Sequence, residues 1–276
     1  MPPQLPKGGS ARTGPLPLHP MTLGDILDGS FKLFKANART VLLIVAVIYL
    51  PLQVVSAFSM RDTIGVGLFN ILNDPSVTST ELDSTQQDVG QIVVQLIAAG
   101  MSLLATPFIA GAIARVVGGS YLGEEVGPAE ALKSSGRKFG PLLGSFILVH
   151  LVEGVGLLAC CIGALFVMPM FVMVAPAIVV EDLGPIEAMR RSWRLTKNRY
   201  WQVLGIALLS GFIANALGSI LSQIPTLAAM FVGGPFAWVI AALAGVVASM
   251  LSAPIVTIVA TLVYFDARIR NEAFDL

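Results

Sequence analysis

Six stretches of about 20 residues or more run almost free of charge, each long enough to cross the roughly 30 Å hydrocarbon core of a bilayer as a helix. They fall at about 41–60, 89–114, 141–160, 162–180, 201–223 and 235–264. Residues 141–180 hold only His150 and Glu153 as acid or base, and the run is read as two spans folded back near Cys160 and Cys161. In hydrocarbon each backbone N–H and C=O must be paired within its own segment, so all six are expected to be α-helices. Composition points the same way. Charged residues make up 12% of the 276, where soluble chains carry roughly 25%, and 55% are hydrophobic.

The placement of charge predicts orientation. Of 17 Lys and Arg, 16 fall on one side of a six-span arrangement: Lys7, Arg12, Lys32, Lys35 and Arg39 before the first span, Arg115, Lys133, Arg137 and Lys138 after the second, Arg190, Arg191, Arg194, Lys197 and Arg199 after the fourth, and Arg268 and Arg270 after the sixth. Only Arg61 falls opposite, in a loop that also holds Asp62, Asp74, Glu81, Asp83 and Asp88. Basic loops stay inside, so both termini are expected to be cytoplasmic in a cell inner (plasma) membrane. The first span reads as the insertion signal rather than a cleavable leader. Residues 1–20, rich in Pro and Gly, read as a disordered tail, with a proline-rich docking peptide as the alternative. A formal net charge of zero gives no support for a nucleic-acid partner.

A shift of 162 residues brings residues 25–44 onto 187–206 without a gap: Ser30 meets Ser192, Phe31 meets Trp193, Lys32 meets Arg194, Leu33 meets Leu195 and Lys35 meets Lys197. A weaker copy begins at Gly127, pairing Glu130 with Glu187 and Arg137 with Arg194. Residues 21–276 are therefore expected to form an all-α polytopic domain, a six-span bundle of three helical-hairpin units, each preceded by a cytoplasmic amphipathic helix. Pro128 and Pro185 suit the first helical position, and Thr22 with Asp25 resembles a capping box. Lys32, Lys35, Arg137, Lys138, Arg190, Arg191, Arg194 and Lys197 on these helices are the candidates to face anionic headgroups or a partner, with plain topology anchoring as the alternative. Ser210, Ala214, Gly218 and Ser222, and Ala241, Gly245, Ser249, Ala253 and Thr257, form small-residue stripes for packing the last two spans together or for a homo-oligomer seam.

Ionisable groups inside spans mark candidate chemistry because their burial is costly. Glu153 is the only carboxylate inside an expected span, His150 lies one turn before it, and Asn215 or Gln95 would supply a polar partner. With His19 in the tail as the only other imidazole, no metal set is complete. No nucleotide-binding loop, zinc-protease helix, serine-nucleophile elbow or CxxC is present, so neither a cofactor nor enzymatic activity is expected. Pro51, Pro107, Pro169, Pro176 and Pro254 are read as kinks within spans.

Three segments, MTLGDILDGSFKLFKANART, APAIVVEDLGPIEAMRRSWRLTKNRYWQVLGI and YFDARIRNEAFDL, resemble the integral-membrane domain found beside bacterial glycerophosphodiester phosphodiesterases, in its stand-alone actinobacterial form. The likeness covers about residues 20–276. In fused relatives the enzyme is a separate soluble barrel with a His-Arg motif and metal-binding carboxylates, and this chain has no counterpart of it. The resemblance thus implies a membrane module without catalytic residues. The leading expectation is a non-catalytic protein that binds lipid or organises partners at the cytoplasmic face. The alternative is a small transporter or lipid-handling permease with its site near His150, Glu153 and Asn215.

Overall fold

A computed structural model of the chain describes residues 21–61, 64, 89–121, 123–158 and 162–272. The expected tail, the acidic loop after the first span and the Cys160–Cys161 tip lie outside these residues. The described residues are helical, in the order α1 (Leu23–Ala36), α2 (Ala38–Ser59), α3 (Val89–Tyr121), α4 (Pro128–Arg137), α5 (Phe139–Leu158), α6 (Ile162–Phe171), α7 (Val174–Glu181), α8 (Pro185–Thr196), α9 (Tyr200–Val232) and α10 (Ala237–Glu272). Five of them, α2, α3, α5, α9 and α10, are long and apolar enough to cross a membrane, as a multi-pass membrane protein requires.

The short amphipathic helices start where local chemistry dictates. At α1 the Thr22 hydroxyl accepts from the Asp25 N–H at 3.3 Å while the Asp25 carboxylate accepts from the Thr22 N–H at 2.8 Å, closing a capping box. Helices α4 and α8 each place a proline at the first turn behind an extended glycine, Gly127 or Gly184. Their buried faces follow the repeat: Ser30 and Leu33 of α1 are buried as Ser192 and Leu195 of α8 are, whereas Phe31, Lys32 and Lys35 are exposed as Trp193, Arg194 and Lys197 are. Each amphipathic helix packs on a chain segment that ends at the charged side of the bundle: α4 on α3, α8 on α6 and α7, and α1 on α10. The last of these contacts joins the first described helix to the last.

The fourth expected span, 162–180, is two short helices with a break at Val172 and Met173. Proline explains the interruption, since Pro169 cannot bond the Leu165 carbonyl nor Pro176 the Val172 carbonyl. Neighbouring side chains supply donors around the first site. Tyr200 Oη donates to Leu165 O at 3.3 Å and Phe166 O at 3.2 Å, Thr196 Oγ1 to Pro169 O at 3.4 Å, and Ser192 Oγ to Met170 O at 2.6 Å. The remaining prolines are tolerated inside continuous helices, and α9 runs past Pro225 to Val232, well beyond its expected end near residue 223.

The small-residue stripes pack inside one chain. A Cβ on Gly218 of α9 would lie 3.2 Å from Ser252 of α10, and one on Gly245 of α10 would lie 2.7 Å from Gln53 of α2, whose amide donates to Ser249 at 3.2 Å. Between α5 and α6 the close contact is with backbone, where a Cβ on Gly163 would meet the Gly156 carbonyl oxygen and lie 3.0 Å from the Gly156 Cα and carbonyl carbon. Backbone cannot yield as a side chain can. Gly163→Ala is therefore expected to cost about 1–3 kcal/mol through forced separation of the two helices. Gly154→Ala on the same hairpin meets nothing within 4 Å and should lose no stability, so thermal midpoints of the two variants in micelles check the contact.

Candidate functional site

Charged side chains that the repeat alone would scatter over three helices converge at one end of the bundle. Arg191 of α8 bonds both Glu181 oxygens, at 2.8–3.0 Å, and also the Glu272 carboxylate of α10. Arg268 reaches Glu272 at 3.3 Å and Glu181 at 3.6 Å, and Tyr264 Oη donates to Glu181 Oε1 at 2.5 Å. The side chains of Arg191 and Glu181 are only 15% and 18% exposed, so two cations and two anions neutralise one another with little water present. The Glu272 hydrogen bond, and after it Glu181, raise the Arg191 pKa against the opposing effect of burial, keeping the guanidinium charged.

A second cluster sits beside it. Asp266, buried on α10, accepts from Arg199 at 3.0 Å, from Arg270 at 2.9 Å and from the Met21 N–H at 2.9 Å, while Arg270 donates to Met21 O at 2.8 Å. The chain entering α1 is thereby fastened to the end of α10.

Next to the first cluster a cleft of about 1110 Å³ opens between α5, α6, α7 and α8. Arg191 and Glu181 form part of its wall, Leu148, Phe171 and Met189 contribute apolar surface, and Ile186, Arg190, Trp193 and Arg194 rim it from the exposed face of α8. Arg190 and Arg194 are one turn apart and make no ion pair among the described residues. Two uncommitted guanidiniums beside an exposed indole and apolar walls can take an anionic, oxygen-rich head with a greasy body.

The candidate basic residues thus divide. Arg190 and Arg194 are exposed on α8 and Lys197 at its C-cap, Arg137 is exposed in the last turn of α4, and Lys35 is exposed in the last turn of α1. Lys32 is exposed but held by Asp28 at 2.7 Å, a hydrogen bond that raises the lysine pKa. Lys138 is spent on the end of α7, donating to Ile178 O, Val179 O and Asp182 at 2.8–3.3 Å, and it lowers the Asp182 pKa through that hydrogen bond. Arg191 is committed to Glu181 and Glu272 in the ionic cluster.

The intramembrane candidates do not converge. His150 and Glu153 share one side of α5 with Nε2 and Oε2 4.0 Å apart, beyond hydrogen-bond reach, whereas Asn215 is exposed on α9 and makes no hydrogen bond to either among the described residues. Among those residues no group of three or more His, Cys, Asp or Glu could hold a metal. The ionic cluster was the part sequence reasoning missed. Its signal was the four-residue spacing of Tyr264, Arg268 and Glu272 at the end of an apolar run, which puts a hydroxyl, a cation and an anion on one helix face, with Asp266 and Arg270 at the same spacing on another.

No curated protein and no solved structure matches the chain. A family model covers residues 32–268, which takes in both ionic clusters and the cleft except for Arg270 and Glu272 at one edge and Met21 at the other, so the protein belongs to the family described as Domain of unknown function (DUF7847).

Proposed function

We propose that this is a non-catalytic multi-pass inner-membrane protein that holds anionic phospholipid at its cytoplasmic face, in the α8 cleft. It is of the same kind as the membrane module found beside glycerophosphodiester phosphodiesterases. In this reading α6 and α7 together make a fourth crossing, because the chain enters α5 beside Asp182 and returns to Glu181 at the same charged end. Six crossings then leave both termini with the 16 basic residues inside.

The observation that carries the reading is the exposed face of α8, where Arg190, Arg194, Trp193 and Ile186 border an apolar-walled cleft. Each basic residue near an anionic surface contributes about 1 kcal/mol. Arg190→Gln with Arg194→Gln is therefore expected to weaken anionic-lipid retention by about 2 kcal/mol, roughly thirtyfold. Native mass spectrometry from nanodiscs containing phosphatidylglycerol and phosphatidylcholine reads the effect, with Arg191 left intact because its change would disturb the fold. Retention of phosphatidylglycerol equal to wild type would overturn the proposal.

A further inference from the structure

The seat that α8 occupies has a counterpart one unit earlier in the chain. A shift of 57 residues lays 127–137 on 184–194, so that Lys133 and Arg137 of α4 take the places of Arg190 and Arg194 of α8. The correspondence extends to how each helix is held. Ser135 of α4 is buried and donates to Phe108 O at 2.6 Å, and its equivalent, Ser192 of α8, is buried and donates to Met170 O at 2.6 Å. Both acceptors directly follow a proline within an apolar helix, Pro107 in α3 and Pro169 in α6. Each amphipathic helix is thus seated at the same point of the hairpin before it, α4 on α2 and α3, and α8 on α5 and α6.

That earlier hairpin is also open beside its helix. A groove of about 520 Å³ runs between α2 and α3 and ends against Phe139, the first residue of α5. Every residue lining it is apolar. Along α3 its wall extends from Val94 to Phe108, roughly 21 Å at about 1.5 Å per residue. An acyl chain fills half of the roughly 30 Å core, so the groove can take one lengthwise.

The mouth of the groove is aromatic and cationic. Phe108 and Phe139 meet edge to face with centroids 6.0 Å apart. Gly136 stands where the other copy has Trp193, and a Cβ built on it would lie 3.9 Å from the Phe108 ring, so the backbone of α4 closes over that ring. Lys133 and Arg137 flank this glycine one turn apart, both exposed, and neither makes a hydrogen bond or ion pair among the described residues. A tail without a charged head would leave these cations without a counter-charge, and a zwitterionic head would offset its own phosphate.

We propose that the groove and these two cations form a second anionic-phospholipid site, with an acyl chain along α2 and α3 and the phosphate on Lys133 and Arg137. The inference rests on the α8 reading for the class of lipid, and it shares no lining residue with the α8 cleft.

Native mass spectrometry of the full chain, released from nanodiscs of phosphatidylglycerol and phosphatidylcholine, counts the sites. Wild type is expected to retain two phosphatidylglycerol molecules. Lys133→Gln with Arg137→Gln should weaken one of them roughly thirtyfold, leave the other, and keep the wild-type thermal midpoint because both side chains are exposed. Met101→Trp fills the groove from a half-exposed position roughly 10 Å along α3 from Phe108, and should release the same molecule with both cations in place. Arg190→Gln with Arg194→Gln should release the other. A single retained phosphatidylglycerol that only the α8 changes release would overturn this inference and leave the α8 reading standing. A single one that only the α4 changes and Met101→Trp release would support the groove and overturn the α8 reading. Two molecules still held by the α4 variant, or by Met101→Trp, would overturn the inference. Equal loss of phosphatidylcholine, the mark of unselective boundary lipid, would do so too.

Discussion

Glu181→Ala is expected to destabilise the folded bundle by about 3 kcal/mol, the lower end of what removing one member of a buried ion pair costs, because the site keeps some contact with water. The loss has three parts. Arg191 loses the acceptor of two guanidinium nitrogens, Tyr264 loses its 2.5 Å acceptor, and the cluster is left with two arginines against Glu272 alone. The sign of the coupling separates this account from simple loss of packing. Replacing Glu181 and Arg191 together by Leu removes one charge of each sign and leaves Arg268 paired with Glu272, so the double variant should be less destabilised than the two single changes summed. Reversible unfolding in mixed micelles supplies the comparison. Additive losses would mean that the four charges do not act as a unit.

That cluster also shows where the sequence stops being readable. The capping box at Thr22 and the prolines opening α4 and α8 are local, so three or four residues contain the whole argument, and each is found as expected. The 162-residue repeat is legible for a related reason, since equivalent positions face the same kind of neighbour and share burial. Arg191 breaks the pattern because its role is set by Glu181 on α7 and Glu272 on α10, the latter 81 positions away, and helical periodicity groups it with Arg190 and Arg194 by residue type alone. The corresponding position of the first copy is Gly29, which is buried and carries no charge at all. The break within the fourth expected span is hidden from the sequence in the same manner. Prolines at 107 and 254 sit within continuous helices, whereas those at 169 and 176 flank a break. What distinguishes them is whether outside donors are present, and Tyr200, Thr196 and Ser192 come from elements that follow in the chain. His150 and Glu153 are found where the spacing places them, on one side of α5, but Asn215 is not brought to them because nothing in a single helix's pattern fixes which side meets another.

Asp266 should produce the larger loss of the two clusters. Its side chain is 6% exposed and carries the acceptors for Arg199, Arg270 and the Met21 N–H, so Asp266→Ala leaves two guanidiniums and a backbone donor facing one another with no anion between them. A loss of about 4–5 kcal/mol is expected, the upper end for a broken buried pair. Asp266→Asn keeps the shape and one acceptor yet not the charge, and should recover only a minor part, because the hydrogen bonds to charged donors are the stronger ones. The effect has a location as well as a size. Met21 is fully buried and bonded on both sides of its backbone by Asp266 and Arg270, and α1 packs on α10, so release of this clasp should free α1 before the remaining helices. Faster amide exchange confined first to residues 21–36 is the expected signature, together with proteolytic cleavage there. The exposed Lys32 and Asp28 pair on the outer face of the same helix provides the contrast. Each partner is more than half exposed, and Asp28→Ala should change neither exchange nor stability measurably. If exchange in α1 responded equally to both changes, α1 would be held by its own helical propensity rather than by the end of α10. If exchange rose uniformly over the whole chain, the clasp would be one cooperative unit with the Glu181 cluster, and Asp266→Ala combined with Glu181→Ala would then fall short of the summed losses.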